Sequence, residues 1–143
     1  MTDFKEIDLA IIESKRACEK HLKALSPDIP TAYEGLHFTP PANAMYQSTQ
    51  FYIEQPDDPV FGTGYYRENF QFQVFVADVK GKGTAAALTR AELIRQHFKK
   101  GTTLFEAGFK ILILETPKVA GTAITEDRIV VPVIISAITE VYE

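Results

Sequence analysis

Cysteine is almost absent: Cys18 is the single one in 143 residues. No intrachain disulfide and no thiolate metal cluster can therefore be built, and an intracellular origin is the simpler expectation. Positive charge is also in deficit, with 15 Lys and Arg against 19 Asp and Glu and a net charge of −4. A free-standing nucleic-acid binder needs a basic face to release phosphate counterions, so that class is disfavoured. A protein past which DNA slides without being gripped is still allowed. Long apolar runs are missing too. The longest, Ile129 to Ile135, is interrupted by Pro132 and falls far short of the ~20 residues a membrane helix needs. The N-terminal Met1-Thr2-Asp3-Phe4-Lys5-Glu6 is charged, unlike the apolar core of a signal peptide. A soluble protein of one domain, residues 1–143, is expected.

Catalytic signatures are equally scarce. Gly81-Lys82-Gly83-Thr84 sits between a predicted strand and a predicted helix, but a Walker loop ends in Gly-Lys-Ser/Thr, and here Lys82 is followed by Gly83. The dinucleotide glycine pattern and the nucleophile elbow are absent. His21, His37 and His97 have no helical metal-ligand spacing and read as surface or rim residues. Glu34 with His37 has the chemistry of an acid/base pair, yet edge side chains beside a loop are the favoured reading. Asp57 and Asp58, adjacent and set between prolines, lack the oxygen spacing of a calcium loop. Cys18 falls on an apolar helix stripe and is expected as a buried small hydrophobe. Tyr46, Tyr52, Tyr65 and Tyr66 are suited to stacking bases, but the charge around them is not basic enough. No catalytic residue, metal or cofactor is expected.

What is present is a regular alternation of helix and strand signals. Thr2 or Asp3 is placed to cap a first helix running to about Leu25. Phe4, Ile7, Ile11, Ser14, Cys18, Leu22 and Leu25 form its inner face. Glu13, Lys15, Arg16, Glu19, Lys20 and Lys23 read as its solvated side. Ser26-Pro27-Asp28-Ile29-Pro30 ends the helix. Ala32 to Pro41 follows, an aromatic-bearing extended run closed by two prolines, and it reads as a stiff surface lead-in to a sheet.

Met45 to Glu54 and Tyr65 to Val76 then predict an antiparallel hairpin with a long, mobile tip. In the second strand Tyr66, Glu68, Phe70, Phe72, Val74 and Val76 share one face, and Arg67, Asn69, Gln71 and Gln73 the other. Thr84 is placed to cap a second helix to about Lys100. Ala87, Ala91, Ile94 and Phe98 form its stripe with Leu88 beside them, Lys99 and Lys100 sit in its last turn, and Gly101 follows as terminator. Phe109 to Leu114 predicts another strand. Thr116 to Asp127 is a turn-rich connection with room for a short extra one. Ile129 to Tyr142 predicts a last strand, apolar on both faces near its centre, inside the sheet, with Pro132 at a bulge or an end. The expected fold is α+β: one mainly antiparallel or mixed sheet of four to six strands with both helices on one face.

Four features in this order resemble the phage tail terminator-like family. They are Ala32-Tyr33-Glu34 leading to Phe38-Thr39-Pro40-Pro41, the strand Phe70-Gln71-Phe72-Gln73-Val74-Phe75-Val76, the Gly-Lys-Gly turn into the second helix, and the closing strand Arg128 to Val133. The resemblance implies a virion structural protein, not an enzyme. It implies a ring, of six subunits, at the head-proximal end of a long non-contractile tail, assembled in the host bacterial cytoplasm. Its implied partners are further copies of itself, the tail-tube protein and a head-completion or connector protein, with DNA passing through unbound. Interface candidates are Tyr33, Phe38, Pro40 and Pro41 of the lead-in, and Asp57, Asp58, Phe61 and Tyr65 of the hairpin. The alternatives are a head–tail connector or neck protein and, from another class, a small-ligand or nucleotide-binding enzyme using Lys82, Thr84, Glu34 or His37.

Overall fold

A computed structural model describes residues 9–142. The proposed Thr2 or Asp3 cap and the inner positions Phe4 and Ile7 lie outside that range. Helix α1, Ala10–Lys23, follows Leu9, whose backbone is extended and supplies no side-chain cap. Ser14, Ala17, Cys18 and Leu22 are buried, as their spacing requires. The inner face departs from the expected one only near its start. Ile11 and Ile12 are exposed and Glu13 is buried, its Oε1 accepting a bond from Arg16 Nη1 at 2.7 Å. That internal i,i+3 partner is what lets a carboxylate lie on the inner side.

The strands are β1 (Thr31–Ala32), β2 (Tyr46–Ile53), β3 (Tyr65–Val79), β4 (Thr103–Glu106), β5 (Phe109–Ile113), β6 (Lys118–Val119), β7 (Ala123–Ile124) and β8 (Arg128–Tyr142). They form one eight-stranded mixed sheet in the order β1-β2-β3-β8-β5-β4, with β6 and β7 also on β8. The α+β architecture is as expected, with more strands than the four to six foreseen. The extra ones are short, and β4 had no sequence forecast. It is brought in by a two-residue hairpin turn, Ala107-Gly108, with φ of 50° and 85°, which pairs Glu106 with Phe109.

β3 and β8 form the spine, paired without a break from Tyr65↔Tyr142 to Val79↔Arg128. Each has 15 residues, about 50 Å of strand. Pro132 lies in the middle of β8, opposite Phe75, at neither a bulge nor an end. Its carbonyl accepts from Ala120 N, so its nitrogen also points to the β6 side, away from β3. The missing amide proton therefore costs no bond in the long β3–β8 ladder.

Helix α2, Ala85–His97, lies over the same sheet face as α1, and one core joins them. Phe70, Phe72, Val74 and Val76 of β3 meet Val131, Val133 and Ile135 of β8 and Ile111 and Ile113 of β5. Leu22, Ile94 and Phe98 close the core from the helix side. Burial of the four β3 side chains contributes roughly 6–12 kcal/mol before entropy. The α2 stripe Ala87, Ala91, Ile94 and Phe98 is fully buried, whereas Leu88 points outward. Thr84 is at the cap position, but its backbone is already helical and its side chain makes no cap bond. Lys99 and Lys100 lie beyond the helix end, leaving Arg95 and His97 as the basic groups of the last turn. Gly101, at φ 86°, turns the chain towards β4 and donates its N–H to Ile113 O.

Arg90, 4% exposed, was not foreseen as an inner residue. Its Nε donates to Gln47 Oε1 at 3.2 Å and its Nη1 to Pro27 O at 2.5 Å, tying α2 to β2 and to the connection after α1. Burial pulls its pKa down.

Candidate assembly surface

The groups with catalytic potential are spread out. Lys82 and Thr84 lie exposed in the turn before α2. Glu34 Oε1 accepts the amide of Phe51 at 3.3 Å and stands 3.6 Å from Lys15 Nζ, while His37 is exposed in the following loop. Among the described residues no three His, Cys, Asp or Glu side chains cluster as a metal site. Cys18 is fully buried, and burial followed by the nearby Glu19 pushes its thiol well above its ordinary pKa. His21 and His97 correct the expectation of unrelated rim residues. Their rings stack 3.8 Å apart, and each Nε2 meets the other's backbone carbonyl, at 2.8 and 2.5 Å. They join the C-terminal ends of α1 and α2.

The Ala32–Pro41 lead-in is less extended than expected. Only Thr31 and Ala32 enter the sheet, parallel to β2 at its edge. The chain then turns at Gly35, φ 85°, with Leu36 N bonded to Tyr33 O. Tyr33 is half-buried, and Leu36 is 70% exposed. Phe38 packs on Tyr46 at 5.6 Å between ring centroids. Pro40 is exposed and Pro41 half-buried. The double-proline loop is held by Arg128, which sequence reasoning had placed only in a family marker. Arg128 donates to Pro41 O and, at 2.7 Å, to Ala44 O, with its guanidinium 5.0 Å from the Tyr46 ring centre.

The 54–64 hairpin connection is pinned only near its base. Asp57 and Arg67 exchange both backbone bonds, at 2.8 and 2.9 Å. Asn69 Nδ2 donates to Gln55 O and Asp57 Oδ2, both at 3.0 Å. Past that point Asp58, Val60 and Phe61 are exposed, and Phe61 is as open as an isolated side chain. Tyr65 lies against Tyr142, the rings tilted with centroids 5.1 Å apart, and donates to Glu140 Oε1 at 2.9 Å. The lead-in candidates and the hairpin candidates thus occupy separate surfaces.

Two surface features had no sequence forecast. Leu36 and Tyr33 face a stripe of cations on α1, Arg16, Lys20 and Lys23, across a groove. Phe105 stands 71% exposed on β4, at the opposite edge of the sheet from β1. The i, i+4, i+7 spacing of the cations was visible in the sequence, but what stands opposite them was not.

Among the described residues the candidate groups lie on separate surfaces and sheet edges. No curated protein matches the chain. A solved structure 20% identical in sequence superposes with a TM-score of 0.72, covering 96% of this chain and 99% of the other, which establishes a shared fold. The family model described as phage tail terminator protein matches residues 14–136, from the first turns of α1 to the middle of β8. The chain therefore belongs to the phage tail terminator protein family and is a structural protein of phage tails.

Proposed function

We propose that this protein is the terminator of a long non-contractile tail. It forms a ring of six on the head-proximal end of the tail tube, stops polymerisation and presents the surface to which the head joins. The observation that carries this reading is the family match over residues 14–136, which takes in both helices and most of the sheet. The mechanism is steric: one face of the ring matches the last tube ring, and the other does not accept another. A ring needs a heterologous contact, one patch against a different patch of the neighbour. The separate surfaces formed by the 33–41 lead-in and the 54–64 connection meet that requirement. The net charge of −4 suits a lumen through which DNA passes without sticking.

Deletion of the gene from its phage tests the proposal. Tails of uncontrolled length that fail to join heads are expected, with rescue by the protein supplied in trans. Tails of normal length in the deletion lysate would rule it out.

A further inference from the structure

We propose that the hairpin tip of one subunit seats in the α1 groove of the next copy, with Phe61 as the anchor. This inference rests on the ring reading above and names its contact. The tip carries Glu54, Asp57 and Asp58 and no cation between residues 54 and 64, and it ends in the exposed pair Val60 and Phe61. An apolar side chain that open on an acidic loop is matched to a surface with an apolar floor and a basic rim.

The molecule has such a surface. Arg16, Lys20 and Lys23 form a stripe along α1, with one carboxylate, Glu19, among them. Tyr33 and the 70% exposed Leu36 form the other wall, around a cavity of about 190 Å³. Arg16 is held by Glu13 at 2.7 Å, so the charge this rim offers a neighbour comes from Lys20 and Lys23. Lys20 bonds Glu106 at 2.9 Å with its side chain still 63% exposed, and Lys23 has no ion-pair partner among the described residues. Both can meet an incoming carboxylate. Phe61 against Leu36 and Tyr33 provides the desolvated centre of the contact, and the charges set its register. Tip and groove are different patches of one subunit, so each copy receives one neighbour and reaches the next, as a closed ring demands.

Cross-linking of the full chain tests the contact. Cys18 is fully buried and stays in place. The double variant Phe61→Cys with Leu36→Cys, oxidised at millimolar concentration or on tail tubes, is expected to give a covalent ladder up to a closed ring. Either single variant is expected to give none, and mixing the two singles should give heterodimers. Lys20→Glu with Lys23→Glu should abolish the ladder in the double-cysteine background. Adding Glu54→Lys with Asp58→Lys should restore it; both positions are exposed. Rings in electron micrographs without the ladder would overturn this contact and leave the ring standing. Rings that persist in Phe61→Asp while binding to tubes is lost would assign the tip to the tube protein, which also overturns it. Neither rings nor ladder, free or on tubes, would remove both readings.

Discussion

His21 and His97 lie ring on ring, 3.8 Å apart and 7° from parallel, each Nε2 on the other's main-chain carbonyl. A carbonyl only accepts, so both Nε2 atoms carry a proton, and neither ring needs a second one to hold the bond. Phe98 closes the arrangement edge-on to His21 at 4.7 Å. Two helix ends from distant parts of the chain are thereby joined by a stacked pair of imidazoles.

This pairing makes stability depend on pH. Burial is the main cause that lowers the His21 pKa below its ordinary 6.5, and the backbone bond to His97 only partly opposes it. The unfolded chain then binds protons more readily than the folded one as pH falls. The contribution is fully present above about pH 6.5 and is lost as pH drops through the folded value. Urea midpoints measured from pH 7.5 to 5.5 should fall. In His21→Gln, whose amide keeps a donor without titrating, the fall should be shallower. Equal slopes for the two proteins would contradict the assignment.

Arg128 fastens the double-proline loop, so Arg128→Ala should free it. The substitution leaves the carbonyls of Pro41 and Ala44 unpaired and removes the cation over Tyr46. A loss of about 1–3 kcal/mol is expected for such a charge-assisted set. Hydrogen exchange should rise in residues 37–46 well before it rises in α2. A uniform rise throughout the chain would point to global destabilisation instead.

Ala107 holds φ at 50° in the β4–β5 turn, a left-handed conformation costly to a β-carbon. Ala107→Asn puts a residue that tolerates this region in front of Gly108 and makes the preferred two-residue hairpin pair. A gain of about 0.5–1 kcal/mol is expected. It should appear as a higher denaturation midpoint with an unchanged slope.

Cys18 should behave as core and not as a nucleophile. With the thiol fully buried and its ionisation suppressed, a thiol reagent at pH 8 should label the native protein only as fast as it unfolds. Full labelling within mixing time under native conditions would show that α1 opens readily.

Much of this architecture is legible in local pattern. The two-residue period of Glu68, Phe70, Phe72, Val74 and Val76 identified the inner face of β3, because successive side chains of a strand point to opposite sides. Ala87, Ala91, Ile94 and Phe98 identified the inner stripe of α2 in the same way, through the helical period. The order and spacing of the lead-in, the central strand, the Gly-Lys-Gly turn and the closing strand were enough to point to the family that the match over residues 14–136 establishes.

Only the tertiary structure decided the rest, because it depends on partners remote in sequence. Glu13 is the exception in having a local partner, Arg16; it sits inside because of how the helix docks, although a hydropathy count reads both as solvent-facing. Arg90 and Arg128 look like surface charges until carbonyls some 63 and 87 positions away are brought to their guanidinium groups. Pro132 reads as a strand breaker until its carbonyl is found bonded to Ala120 N, which turns its nitrogen away from the β3 ladder. Cys18, the residue whose solitude excluded a disulfide at the outset, needed only its place on a periodic stripe. The groove opposite the cations of α1 needed the whole fold: periodicity reports the face a residue occupies, and only three-dimensional packing reports what meets it there.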